Sequence, residues 1–267
     1  MRTPISQFTF NVGLAALVAV SCLSPAWAAT TGKPTVVLVH GAFAESSSWN
    51  GVVSRLLAKG YDVVAVANPL RGVQSDARYV AAVVDSIPGR VVLVGHSYGG
   101  AVITNVNAAK GNVKALVYVG GFAPQAGESA DTLAGKFPGS TLGPTLAPPV
   151  PLPDGGKDLY IDQAKFHAQF AADVPRAQAE LMAVTQRPVT DAALKEASGA
   201  PAWKNIPSWF IYGGKDKNIP PVLQPFMAKR AGAKKAIGVP GASHVVMTSH
   251  PAVVAKMIEE AAEASDQ

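Results

Sequence analysis

From residue 35 onward, short apolar runs rich in valine and isoleucine recur between glycine, proline and polar residues. Residues 35–39, 63–67, 91–94, 113–119, 209–212 and 236–239 are such runs, and their length and β-branching predict strands. Between them, residues 49–59, 79–87, 101–109 and 221–231 carry apolar side chains at helical spacing, as do residues 251–264 at the end of the chain. Strand and helix alternating in this way predict an α/β fold, with a mostly parallel, doubly wound sheet covered on both faces. The carboxyl ends of the strands are then the edge where chemistry is expected.

Residues 122–201 break the alternation. They show no strand pattern, contain Pro148-Pro149-Val150-Pro151-Leu152-Pro153, and regain helical spacing around 162–170 and 176–184. A structureless loop of this length is uncommon in a compact domain. Tyr160, Phe166 and Phe170 at near-helical spacing call for a surface to pack against. The expectation is a cap inserted over the strand ends at about residues 123–203.

The first 28 residues follow other rules. Arg2 gives a basic start, residues 12–23 an apolar core, and Ala26-Trp27-Ala28 a small-residue cleavage site, the layout of an export signal cleaved near Ala28. Residues 29–267 would form the α/β domain with its cap, delivered to the periplasm or secreted. Ala19-Val20-Ser21-Cys22 offers lipid attachment as the weaker alternative, since leucine is usual where Ala19 stands. Cys22 is the only cysteine, so the mature chain would hold no disulfide. No later segment has 18 uninterrupted apolar residues, so no transmembrane span is expected.

Charge excludes little else. The chain carries +5, and without its first 28 residues 22 basic face 18 acidic side chains. The basic residues are scattered, without the interleaved aromatics of a nucleic-acid platform, so nucleic acid is not an expected partner.

Chemistry is concentrated in Gly95-His96-Ser97-Tyr98-Gly99, which follows the run at 91–94 and opens a helix near Tyr98. In a sharp strand-to-helix turn the central serine is lifted out of the sheet, and side chains two residues to either side would collide; glycines remove them. Ser97 is therefore the candidate nucleophile. A serine hydroxyl needs a base and a group to orient that base. Of five histidines, His96 lies inside the turn pointing away, His40 ends the first strand, His167 falls in the cap, and His250 starts a helix. His244, in the loop after the last strand, is the candidate base. Asp216 follows the strand at 209–212 through Gly213-Gly214 and is the candidate orienting acid, with Asp191 and Asp162 as weaker alternatives in the cap. Two donors for an oxyanion would be the amides of Tyr98 and Ala42, the latter in His40-Gly41-Ala42-Phe43, where the His40 ring would brace the loop. Phe43, Tyr98 and Phe122 are candidate substrate-binding residues.

His40-Gly41, the Ser97 motif, Asp216 and His244 resemble, in order and spacing, the α/β-hydrolase fold superfamily over nearly all of residues 33–264. Within it, the chain resembles bacterial carboxylesterases related to plant methylesterases and hydroxynitrile lyases. The resemblance implies a serine hydrolase acting on a small-molecule carboxylic ester or lactone, without metal or cofactor, and the signal in residues 1–28 implies that it is exported. Those lyases carry lysine immediately after the catalytic histidine, where this chain has Val245. Lyase and perhydrolase or haloperoxidase chemistry are the alternatives within the superfamily; a non-catalytic small-molecule binding protein is the alternative outside it.

Overall fold

Valine-rich strands set the architecture. In the computed structural model, which describes residues 32–265, the chain runs β1 (Thr35–Val39), α1 (Asn50–Ala58), β2 (Val63–Val66), α2 (Val73–Ser86), β3 (Val91–His96), α3 (Tyr98–Thr104) and β4 (Val113–Val119). It continues through α4 (Ala130–Ala134), β5 (Val150–Pro151), β6 (Lys157–Leu159), α5 (Gln163–Phe170), α6 (Arg176–Thr185), β7 (Val189–Thr190) and α7 (Asp191–Lys195). It closes with β8 (Ser208–Gly213), α8 (Leu223–Arg230), β9 (Lys235–Val239), α9 (Val246–Ser249) and α10 (Pro251–Ala264). The expected export signal, with Cys22, lies outside the described residues.

Six strands pair in the order β2-β1-β3-β4-β8-β9, and every pairing is parallel. Every residue of β1 and β3 is buried. Side chains alternate between the two faces of a strand, so both faces are covered, as a parallel sheet requires. One group of helices joins α1, α9 and α10, and another joins α2 and α3. Burying each valine or leucine of these strands contributes about 1.5–3 kcal/mol, which makes this sheet the chief source of stability. Among the described residues no helix is long and apolar enough to cross a membrane.

Three boundaries differ from the sequence reading. α2 begins at Val73, six residues before the expected 79, because its first turn is polar and its Asp76 is buried by hydrogen bonding. α3 stops at Thr104 instead of 109, where Asn105 folds its side-chain amide back onto the Ala101 carbonyl. The segment between β4 and β8, read as free of strands, contains the antiparallel sheet β5-β6-β7. These strands are two or three residues long and include Pro151, too short to show a two-residue period. Tertiary bonds hold them: the Thr190 amide donates to the Leu70 carbonyl, and the Arg71 guanidinium pairs with Asp158.

Candidate active site

β3 ends at His96 and α3 starts at Tyr98, so Ser97 alone makes the turn, at φ 53° and ψ −124°. A non-glycine residue in this region costs roughly 1–3 kcal/mol and persists only where its surroundings over-determine it. The surroundings here are tight. A Cβ at position 95 would lie 2.5 Å from the Gly99 carbonyl oxygen, and one at 99 would lie 2.5 Å from the Val39 carbonyl oxygen. The Ser97 carbonyl accepts from the amides of Gly100 (2.9 Å) and Phe122 (3.1 Å), tying the turn to the end of β4.

Across the sheet edge, the loops after β8 and β9 are bonded to each other: the Gly214 amide donates to the Val239 carbonyl and the Lys215 amide to the Ala242 carbonyl. That register sets Asp216 against His244. His244 Nδ1 lies 2.7 Å from Asp216 Oδ2, and both side chains are sealed from solvent. Asp216 Oδ1 accepts from the amides of Asn218 (2.8 Å) and Ile219 (3.0 Å). A carboxylate that accepts on both oxygens places the imidazole hydrogen on Nδ1 and leaves Nε2 with a lone pair. The alternative acids are engaged elsewhere: Asp162 caps α5 through the Ala164 amide, and Asp191 pairs with Lys195 at 2.9 Å.

Two further buried histidines brace this edge. The Asn68 amide donates to His40 Nε2 (3.0 Å), so His40 carries its hydrogen on Nδ1 and donates it to the Gly41 carbonyl (2.9 Å). Burial pushes the His40 pKa down to about 4. His96 Nε2 lies 3.2 Å from the His244 carbonyl, to which it donates, and burial holds the ring neutral, well below the ordinary histidine range. His96, expected to turn away from the nucleophile, sets its ring 4.7 Å from that of His244 besides bonding to the backbone of the loop that carries it.

Ser97, His244, Ala42, Phe43, Tyr98 and Phe122 all line one cavity, with Asp216 behind His244. The cavity volume is about 80 Å³. Its remaining walls are Phe170 and seven residues the sequence did not single out: Ala130, Asp131, Ala134, Leu142, Leu194, Asn218 and Ile219. Phe170 is the most informative of them. Its ring packs against His244 (centroids 5.0 Å apart), His96 and Phe43, so α5 reaches over the strand ends to touch the imidazole. The aromatic spacing 160-166-170 signalled packing without saying against what. Among the described residues no lysine or arginine lines the cavity, and Asp131 is the one carboxylate in its wall.

Comparison with known proteins agrees with the fold. The model of the alpha/beta hydrolase family matches residues 36–257. The chain is 27% identical over 251 residues to the alpha/beta hydrolase nvfD of Aspergillus novofumigatus, covering 86% of this chain and 97% of that protein. Among solved structures, it is similar to polyneuridine aldehyde esterase (20% identity, TM-score 0.73, 85% of this chain and 98% of the other). It is also similar to the methylesterase MES16 of Arabidopsis (18%, TM-score 0.66, 86% and 99%), and at these identities the likeness is one of fold. A parallel six-stranded sheet, a strained serine turn and a buried His–Asp pair on the last two loops are thus joined by a family match across most of the chain, which belongs to the alpha/beta hydrolase family.

Proposed function

We propose that this protein is a serine hydrolase that cleaves carboxylic esters or lactones through an acyl-enzyme, with Ser97, His244 and Asp216 as its triad. The observation that carries the reading is that the buried Asp216–His244 pair opens onto the same cavity as the strained Ser97. The serine and the imidazole make no direct hydrogen bond in this arrangement, a looseness common before substrate binds. On attack, His244 Nε2 takes the Ser97 proton as Oγ bonds to the ester carbonyl carbon. The imidazolium is held by Asp216, and the proton passes to the leaving alkoxide as the acyl bond breaks. Water repeats the sequence on the acyl-enzyme and releases the acid. The amides of Tyr98 and Ala42 are the donors for the tetrahedral oxyanion. Tyr98 heads α3, where amides have no partner within the helix, and the left-handed Phe43 (φ 60°) bends the Ala42 loop toward the cavity.

Apolar walls favour an uncharged ester with an apolar acyl or alcohol group, and the two solved esterases agree with ester chemistry. The segment 123–203 acts in this reading as the cap that limits substrate size, supported by Ala130, Leu142, Phe170 and Leu194 in the cavity wall. Residues 1–28 direct export. Val245, where the lyases carry lysine, is buried and leaves no cation for a cyanide leaving group. Steady-state hydrolysis of p-nitrophenyl esters of increasing chain length tests the reading. Turnover that is abolished by Ser97→Ala and best with short or medium chains is expected. Cyanohydrin cleavage without ester hydrolysis, or ligand-induced stabilisation without turnover, would overturn it.

A further inference from the structure

Strain at Ser97 needs restraint on both sides, and on its carboxyl side α3 has only seven residues and no side-chain cap. The restraint comes from Tyr98. Its phenol is fully buried and donates to Asp76 Oδ2 at 2.9 Å, reaching from the first residue of α3 to the first turn of α2. Asp76 is itself 0% exposed, and its two oxygens also accept from the Arg71 amide at 3.3 and 3.2 Å. Arg71 follows Leu70, which is left-handed at φ 62°, and its guanidinium pairs with Asp158 of β6 and donates to the Pro188 carbonyl. Thr190 of β7 closes the knot by donating its hydroxyl to the Arg71 carbonyl. One buried carboxylate therefore joins the residue after the serine to the loop that anchors the small antiparallel sheet.

We infer that Asp76 is a positioning residue for the oxyanion site: by holding the Tyr98 phenol it fixes the backbone amide that faces the reacting carbonyl. The inference rests on the proposed acyl-transfer reading. A buried carboxylate is costly to keep unless its hydrogen bonds repay it, and burial raises the Asp76 pKa from its ordinary value while the hydrogen bonds from Tyr98 and Arg71 oppose the rise. A carboxylate kept for packing alone would be better replaced by an apolar side chain. Its phenolic partner sits on the residue whose amide position matters most, and a misplacement of about 1 Å there costs on the order of a hundredfold in rate.

The test is a mutant cycle on the full-length chain, with Tyr98→Phe, Asp76→Asn, Asp76→Ala and the Tyr98→Phe/Asp76→Asn pair. Each is measured for kcat and KM on p-nitrophenyl butyrate, for affinity toward an aryl trifluoromethyl ketone, and for thermal unfolding. The expected result is a fall in kcat of about tenfold or more in Tyr98→Phe, with KM changed by less than about threefold and ketone affinity falling in parallel with kcat. The double variant should be no slower than the slower single one, and Asp76→Asn, which keeps an acceptor oxygen, should be faster than Asp76→Ala. If Asp76→Ala does not fold, Tyr98→Phe and Asp76→Asn carry the test. An unchanged kcat in Tyr98→Phe, losses that multiply in the double variant, or lowered unfolding temperatures with unaltered turnover would overturn the inference. A wild-type protein that does not hydrolyse the ester would instead overturn the reading beneath it.

Discussion

The loop after β1 and the loop after β9 each hold a histidine sealed from solvent, and the two rings are bonded in opposite ways. His40 has both nitrogens committed to backbone, one accepting from Asn68 and one donating to Gly41. His244 commits only Nδ1, to Asp216, and its residue lines the cavity shared with Ser97. Burial without a carboxylate pushes His40 down to about 4 and makes it a neutral strut. Burial with a carboxylate on one nitrogen leaves the other available and provides for the charge that proton transfer creates. The proposed base is therefore marked by its partner and its free nitrogen, and burial alone marks neither role.

Removing each side chain in turn should separate the two loops. His244→Ala should lower kcat by about 10⁴-fold or more while the unfolding temperature stays near the wild-type value, measured by steady-state ester hydrolysis and calorimetry. Asp216→Asn keeps the shape but reverses the donor pattern at His244, and a loss of about 10³–10⁴-fold in kcat is expected. His40→Ala should invert the signature. Orphaning the Asn68 amide and the Gly41 carbonyl costs about 2–4 kcal/mol of stability by urea unfolding, with kcat reduced far less than in His244→Ala. Equal kinetic damage from His40→Ala and His244→Ala would break the comparison.

Acid supplies the smallest of these effects. The folded pKa of His40 lies below its unfolded value of about 6.5, so the unfolded chain binds the extra proton between them. Stability from this group is fully present above pH 6.5 and is lost as the pH falls toward 4, by at most about 3 kcal/mol. His96, also held neutral, acts in the same direction. Urea midpoints measured from pH 7 to 4 should fall, and should fall less in His40→Gln; equal slopes would remove His40 from the account.

Much of this edge was legible in sequence because its residues sit at fixed offsets from strands. Glycines two places either side of Ser97 mark the turn, and Asp216 and His244 follow the last two strands on short loops. Hydrophobic pattern also located all six strands of the parallel sheet to within one or two residues. What escaped depends on contacts distant in sequence. Asp76 and Tyr98 are 22 residues apart and meet only because α2 packs on α3. β5, β6 and β7 owe their order to Arg71 and Thr190 more than to any local period. Phe170 announced burial, but its partner His244 lies on the other side of β8 and β9 in the chain.

The central claim is that Ser97 is the nucleophile and that His244 activates it. Its most direct measurement is intact-mass and peptide mapping of the protein after exposure to a fluorophosphonate, alongside the Ser97→Ala and His244→Ala variants. The account predicts one adduct, on Ser97, formed rapidly in the wild type, slowed by orders of magnitude in His244→Ala and absent in Ser97→Ala. An unmodified wild-type protein, or an adduct on any other residue, would contradict it.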